Sequence, residues 1–233
     1  MSKKYEGCVK TVECREGKPI CCEESSDPDG SFYYFYATFF KKVLLRLPLS
    51  IFEKKLLTEL NVASAQLHPN SWAFIRAFIV LCSQLDISPT VEVFLYFFEA
   101  KHTISKLWMS HVRALLNLFQ CSYKNFKGKF VKVQASIGDP TLLDGFRLYW
   151  TPEPNFQSAR RLEDLSPKDQ GICEFWTSLK VVFDTSYLLT KEYFLGALKA
   201  YTERMLSNIG KVKMVERVRK MRAAANLSKD SLA

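Results

Sequence analysis

The sequence contains no long uncharged apolar run and little glycine or proline. Its aromatic stretch 31–40 and apolar run 77–85 are about half as long as the roughly 18–20 residues that a membrane-spanning helix needs. Nine Gly and nine Pro among 233 residues exclude collagen-like and linker-like composition. The opening residues MSKKYEGCVK lack the apolar core of a secretory leader. We therefore expect an intracellular protein of the cytoplasm or nucleus, with no membrane partner.

Cysteines at the spacing of metal ligands are also missing. Cys-x-x-Cys occurs nowhere, and the N-terminal cysteines are separated by five and six residues or directly adjacent, unlike the two-to-four spacing of zinc ligands. The three histidines lie far downstream. The seven cysteines are Cys8, Cys14, Cys21, Cys22, Cys82, Cys121 and Cys173. We expect them to be reduced, and we expect neither a metal nor a cofactor.

What the sequence does contain is apolar surface and positive charge. Hydrophobic residues make up 48%, enough to exclude a disordered chain, and the length fits one large domain or one domain with a helical appendage. The net charge of +9 is concentrated in two blocks. Residues 101–160 carry nine basic and three acidic residues, and residues 191–233 carry ten and four. This asymmetry favours a polyanionic partner.

The pattern along the chain predicts an α+β fold with a mostly helical core, a small antiparallel strand region and a long C-terminal helix. We place a disordered tail at 1–31, a domain at 32–155, a C-terminal helical region at 156–225 and a frayed tail at 226–233. The aromatic run 31–40 fits either a buried strand or a buried helix, since its period does not decide between them.

Three short apolar helices form the predicted core. The first begins with a capping box of Ser50 and Glu53. The second begins at Asn70 or Ser71 and runs to about Leu85. The third begins at Ser88-Pro89 and includes the run VEVFLYFFE.

The later segments predict strands followed by helices. LWMSH, KFVKVQ and FRLYW have strand-like content between turn residues, while 112–119 fits a helix or a strand. Ser166 caps a further helix running to about Val182. Thr190 caps the last one, which extends to about Ala225. Its apolar stripe, at spacings of three and four, is at the margin for a coiled coil.

The sequence contains no complete catalytic motif, which predicts that the protein is not an enzyme. The partial resemblance of Asp184-Thr185-Ser186 to an aspartic-protease turn lacks the required glycine, so a turn between helices is the better interpretation. His111 and Cys121 are ten residues apart, which indicates no nucleophile–base pair. Three carboxylates could in principle meet at a metal, but turn positions explain them better. They are Asp139, Asp144 and Glu153. Phosphate-cradling glycine loops are missing, and no small-molecule substrate is evident.

Two basic segments are candidate nucleic-acid sites. In 122–134, lysines alternate with Tyr123, Phe126 and Phe130, a mixture that suits single strands, although an ordinary hairpin with solvated lysines explains it at least as well. In 211–222, a basic amphipathic helix fits nucleic acid, a membrane surface or a partner groove equally. The candidate residues are Lys124, Lys127, Lys129, Lys132, Lys211, Lys213, Arg217, Arg219, Lys220 and Arg222.

Three motifs carry a family resemblance: LPLS-x-F at 47–52, NVASAQLHPNSW at 61–72, and LC-x-x-L-x-I-x-P-T-x-x-x-F-x-x-F-F at 81–98. Together with Trp108, FKGKFVKV and FRLYW, they resemble the plant gypsy-type transposon, or transposase-like, domain family over about residues 39–150. The family offers no catalytic residues to carry over.

The resemblance implies a gag-like structural or nucleic-acid-binding module from a retrotransposon, with RNA or DNA as partner. Two alternatives stay open. One is a protein-interaction module that self-associates through residues 191–225, and the other is a truncated element relic without retained activity.

Overall fold

The computed structural model describes residues 9–13, 32–43, 45–103, 106–117, 130–135, 143–155 and 159–190. There the chain has an α+β fold in which helices pack with two antiparallel sheets. The strands are β1 (Val9–Glu13), β2 (Phe32–Tyr36), β3 (Phe98–Thr103), β4 (Lys106–His111) and β5 (Phe130–Ala135). The helices are α1 (Ala37–Lys42), α2 (Ile51–Glu59), α3 (Pro69–Gln84), α4 (Val91–Phe97), α5 (Pro167–Ser178) and α6 (Thr185–Thr190).

The larger sheet has the strand order β1-β5-β2, so β5 is its central strand. Both neighbours run antiparallel to β5, with Val12 and Tyr34 each opposite Lys132. The smaller sheet is the β3–β4 hairpin, in which Phe98 lies opposite His111. Strand β1 lies within the predicted tail 1–31, and its pairing with β5 corrects that prediction for residues 9–13.

The aromatic run after Ser31 is both strand and helix. Its first five residues form β2, all buried, and the next six form α1. A strand presents alternate residues to opposite faces, and here both faces are covered. On one side Tyr33 packs edge-to-face on Phe146, and on the other Phe32 packs on Tyr149.

Helix α2 begins with the capping box that the sequence predicts. The Ser50 Oγ accepts a hydrogen bond from the Glu53 amide at 3.3 Å, and the Glu53 carboxylate accepts one from the Ser50 amide at 2.7 Å. Asn61, with φ of 50°, follows the helix end in the left-handed region that asparagine tolerates.

Helices α3 and α4 begin at other residues than predicted. His68, not Asn70 or Ser71, caps α3, because Pro69 takes the first helical position and the His68 Nδ1 accepts from the Asn70 amide at 3.1 Å. Thr90, not Ser88, caps α4, accepting from the Val93 amide at 3.2 Å.

The core is built around α3, which is buried along most of its length. Trp72 contacts Phe35 of β2, while Phe78 packs against Phe94 of α4 and Trp176 of α5. Edge-to-face contacts dominate these pairs, as is favourable for aromatic rings. Inside the same core, the Arg76 Nη1 lies 3.6 Å from the Glu53 Oε1, and both side chains are buried.

Three further predictions need correction. FRLYW at 146–150 is no strand and forms only a single bridge, between Arg147 and Ala63. Segment 112–117 is neither helix nor strand, with one bridge from Leu116 to Phe183. The third predicted helix stops at Phe97, where the chain turns into β3. The long helix predicted after Thr190 lies outside the described residues.

Candidate nucleic-acid interface

Lys132 is the one predicted binding residue that falls within the described part of the chain. It lies in β5, between its two neighbouring strands. The other nine predicted residues lie outside the described ranges: Lys124, Lys127, Lys129, Lys211, Lys213, Arg217, Arg219, Lys220 and Arg222. Lys132 is the last lysine of the first basic segment. The structure therefore shows the position of that one lysine.

The strand register places Lys132 on an aromatic sheet face. Because cross-strand partners share a face, Lys132 is beside Tyr34, Phe130 beside Tyr36, and Gln134 beside Phe32. The Lys132 ammonium lies 4.0 Å from the centre of the Phe32 ring, a cation–π contact that reaches diagonally across the two strands. The side chain remains partly exposed.

The aromatic rings on this face are packed against each other. The Phe130 ring meets the Tyr34 ring edge-to-face at 5.4 Å, and the Phe32 ring meets the Tyr149 ring at 6.0 Å. Phe130 is 3% exposed and Phe32 is 5% exposed. Phe130 is thus a core residue, and the prediction that it could stack on a base is wrong in this fold.

On the opposite face of the sheet, Tyr33 points into the core. Burial, with a smaller contribution from the Glu53 carboxylate, raises the pKa of the Tyr33 hydroxyl far above its usual value. Tyr33 therefore stays neutral at any physiological pH, and this face contributes packing rather than charge.

The most polar of the three motifs is NVASAQLHPNSW, and its side chains form hydrogen bonds with backbone groups. Gln66 Oε1 accepts from the Ala63 and Thr151 amides, both at 3.0 Å, and its Nε2 donates to the Thr151 carbonyl at 2.8 Å. Ser64 Oγ donates to the Tyr34 carbonyl at 2.9 Å, and the Trp72 indole donates to the Ser64 carbonyl at 3.1 Å. These contacts tie the family motif to β2 and to residue 151.

Asp184 has a structural role as the residue preceding α6. Its Oδ1 accepts from the Tyr187 amide at 2.6 Å, and its Oδ2 accepts from the Asn117 side chain at 3.0 Å. Thr185 donates through its amide and hydroxyl to Asn117, both at 2.8 Å. This is a helix start linked to a neighbouring loop, in agreement with the interpretation of Asp184-Thr185-Ser186 as a turn between helices.

His111 and the described cysteines also lie in packed surroundings. The His111 ring packs edge-to-face on Phe74 and Phe98, and desolvation lowers its pKa. Burial raises the pKa of the Cys173 thiol to about 12 and that of Cys82 still further, so both are inert thiols. Cys121, the proposed neighbour of His111, lies outside the described residues.

Two findings concern only the residues that the structure describes. They contain no group of three or more His, Cys, Asp or Glu side chains placed to hold a metal ion. Among them, too, no helix has both the length and the apolar character needed to cross a membrane.

In a comparison with protein families, residues 35–102 match the family described as "Putative gypsy type transposon". The matched segment runs from β2 to β3 and contains all three motifs of the resemblance. It ends before β4, so the resemblance over 103–150 stays a prediction. The comparisons with curated proteins and with solved structures gave no match. We call residues 35–102 the family segment, because they are similar to the gypsy-type transposon family.

Proposed function

We propose that this chain is a non-catalytic, gag-like module of transposable-element origin that binds nucleic acid through its two basic segments. The observation that carries the proposal is the distribution of charge. Nineteen of the 33 Lys and Arg residues lie in 101–160 and 191–233, outside the helical part of the family segment. Clustered positive charge attracts the phosphate backbone, which dominates the affinity of nucleic-acid complexes.

The position of β5 supports this assignment for the first segment. Lys124, Lys127 and Lys129 directly precede the strand in sequence, and β5 is fixed on both sides by β1 and β2. The buried Phe130 anchors the start of the strand, while Lys132 two residues later remains partly exposed. A strand that is paired on both sides therefore holds one end of the basic segment.

The use of polar side chains in the family segment supports a structural role. Ser50, Gln66 and Thr90 accept hydrogen bonds from helix and turn amides. Gln66 is buried, and a buried polar group that is matched in this way stabilises and specifies a fold. A scaffold that displays basic segments needs this kind of interior, and it needs no activated side chain.

The test is fluorescence anisotropy with a labelled single-stranded RNA across a salt series, comparing the whole chain with a version ending at Thr190. We expect the logarithm of the affinity to fall linearly with the logarithm of salt, with a slope of about −0.7 for each phosphate contact. Removing 191–233 should weaken binding and reduce this slope. Absence of binding at low salt would overturn the proposal.

A charge-matched comparison separates specific lysines from net charge. The variant K124Q/K127Q/K129Q and the control K55Q/K168Q/K180Q each remove three positive charges. The three control lysines are exposed on helices or turns away from β5. Only the first variant should lose affinity substantially. Equal losses in both would show that net charge alone drives the binding.

The second candidate function is partner pairing through residues 191–225. It is favoured by the apolar stripe of this segment, which includes Leu198, Tyr201, Met205, Ile209 and Val212. This candidate predicts a dimer that is indifferent to nucleic acid. Sedimentation equilibrium of the whole chain and of the version ending at Thr190 tests it, since only the whole chain should then dimerise. An element relic would show neither activity.

A further inference from the structure

We draw no further inference here: the strongest candidate, the outer edge of strand β3, whose Glu99 and Lys101 suit pairing with a second copy of the chain, carries nothing because Phe98 and Ala100 on that strand are buried and are therefore not accessible to another strand.

Discussion

Thr90 and Asp169 are 79 residues apart in sequence and are joined by a hydrogen bond at the starts of two helices. The Thr90 Oγ1 donates to the Asp169 Oδ1 at 3.0 Å while accepting from the Val93 amide in α4. The Asp169 Oδ2 accepts from the Ser166 hydroxyl at 2.7 Å at the start of α5. This contact joins the family segment, which ends at residue 102, to a helix well beyond it.

Replacing Asp169 by Ala should therefore destabilise both helix starts. Asp169 is buried, and its loss leaves two hydroxyl groups without their acceptor, so we expect the free energy of unfolding to fall by about 2–3 kcal/mol. Urea denaturation followed by circular dichroism measures this. A double-mutant cycle with Thr90→Val should give a coupling energy of about 1 kcal/mol. Strictly additive losses would mean that the two caps act independently. Glu163→Gln, in an exposed ion pair, is the control.

Trp176→Ala tests whether α5 is part of the core of the family segment. Its ring contacts Phe78 of α3 at 5.6 Å and Phe97 of α4 at 5.7 Å, and it is fully buried. Removing it leaves a cavity between three helices, for which we expect a loss of about 3–5 kcal/mol in unfolding free energy. Chemical denaturation checks this, and Trp176→Phe is the matched control with a smaller loss. A loss below about 1 kcal/mol in the alanine variant would indicate that α5 docks loosely.

The local signals in the sequence predicted the helix starts at Ser50 and Ser166, because a capping residue and its partner are three residues apart. The spacing of apolar residues located α3, although its cap is His68, and strand-like content located β5. These signals missed β1, since the pairing of Val9–Glu13 with β5 joins segments more than a hundred residues apart, which no short pattern reveals. They also left the run 31–40 undecided, because a short apolar segment buried on both faces suits a strand and a helix alike.

The candidate site was less predictable for a related reason. The alternation of Lys and aromatic residues in 122–134 suits a stacking surface, but it favours an ordinary hairpin strand whose lysines face solvent. The distinction depends on whether Phe130 is covered, and Tyr34 of β2, about one hundred residues earlier, covers it. The contact of Lys132 with Phe32 depends in the same way on strand register.

His111 should make folding stability depend on pH. Its pKa in the folded state lies below the ordinary value of about 6.5 because desolvation disfavours the imidazolium. The unfolded chain therefore binds a proton more readily than the folded chain. The stability contributed by the neutral ring is present above about pH 6.5 and is lost as the pH falls towards the folded pKa.

The measurement is the free energy of unfolding between pH 8 and pH 5 for the chain and for His111→Phe. Phenylalanine keeps a ring against Phe74 and Phe98 but does not titrate, and His68 and His102 are common to both proteins. The difference in stability between the two proteins should shift in favour of the variant as the pH falls below 6.5. A difference that is constant over this range would contradict the prediction.

Gln66→Leu tests the motif that ties the family segment to residue 151. The amide group of Gln66 forms three hydrogen bonds with backbone groups, two of them to Thr151, and is buried. Leucine has a similar size but leaves these backbone groups without partners in a region closed to water. We expect a loss of about 2–4 kcal/mol in unfolding free energy and, because Ala63 and Thr151 would be released together, faster hydrogen exchange of both amides.

Gln66→Glu is the more demanding comparison. The carboxylate retains an acceptor for the Ala63 and Thr151 amides but loses the donor to the Thr151 carbonyl and places a charge in the interior. Glutamate should therefore be at least as destabilising as leucine at pH 7, and should recover part of the loss at pH 4, where protonation restores a donor. Equal stability of the glutamate variant at the two pH values, relative to the unsubstituted chain, would show that the Thr151 carbonyl does not depend on Gln66.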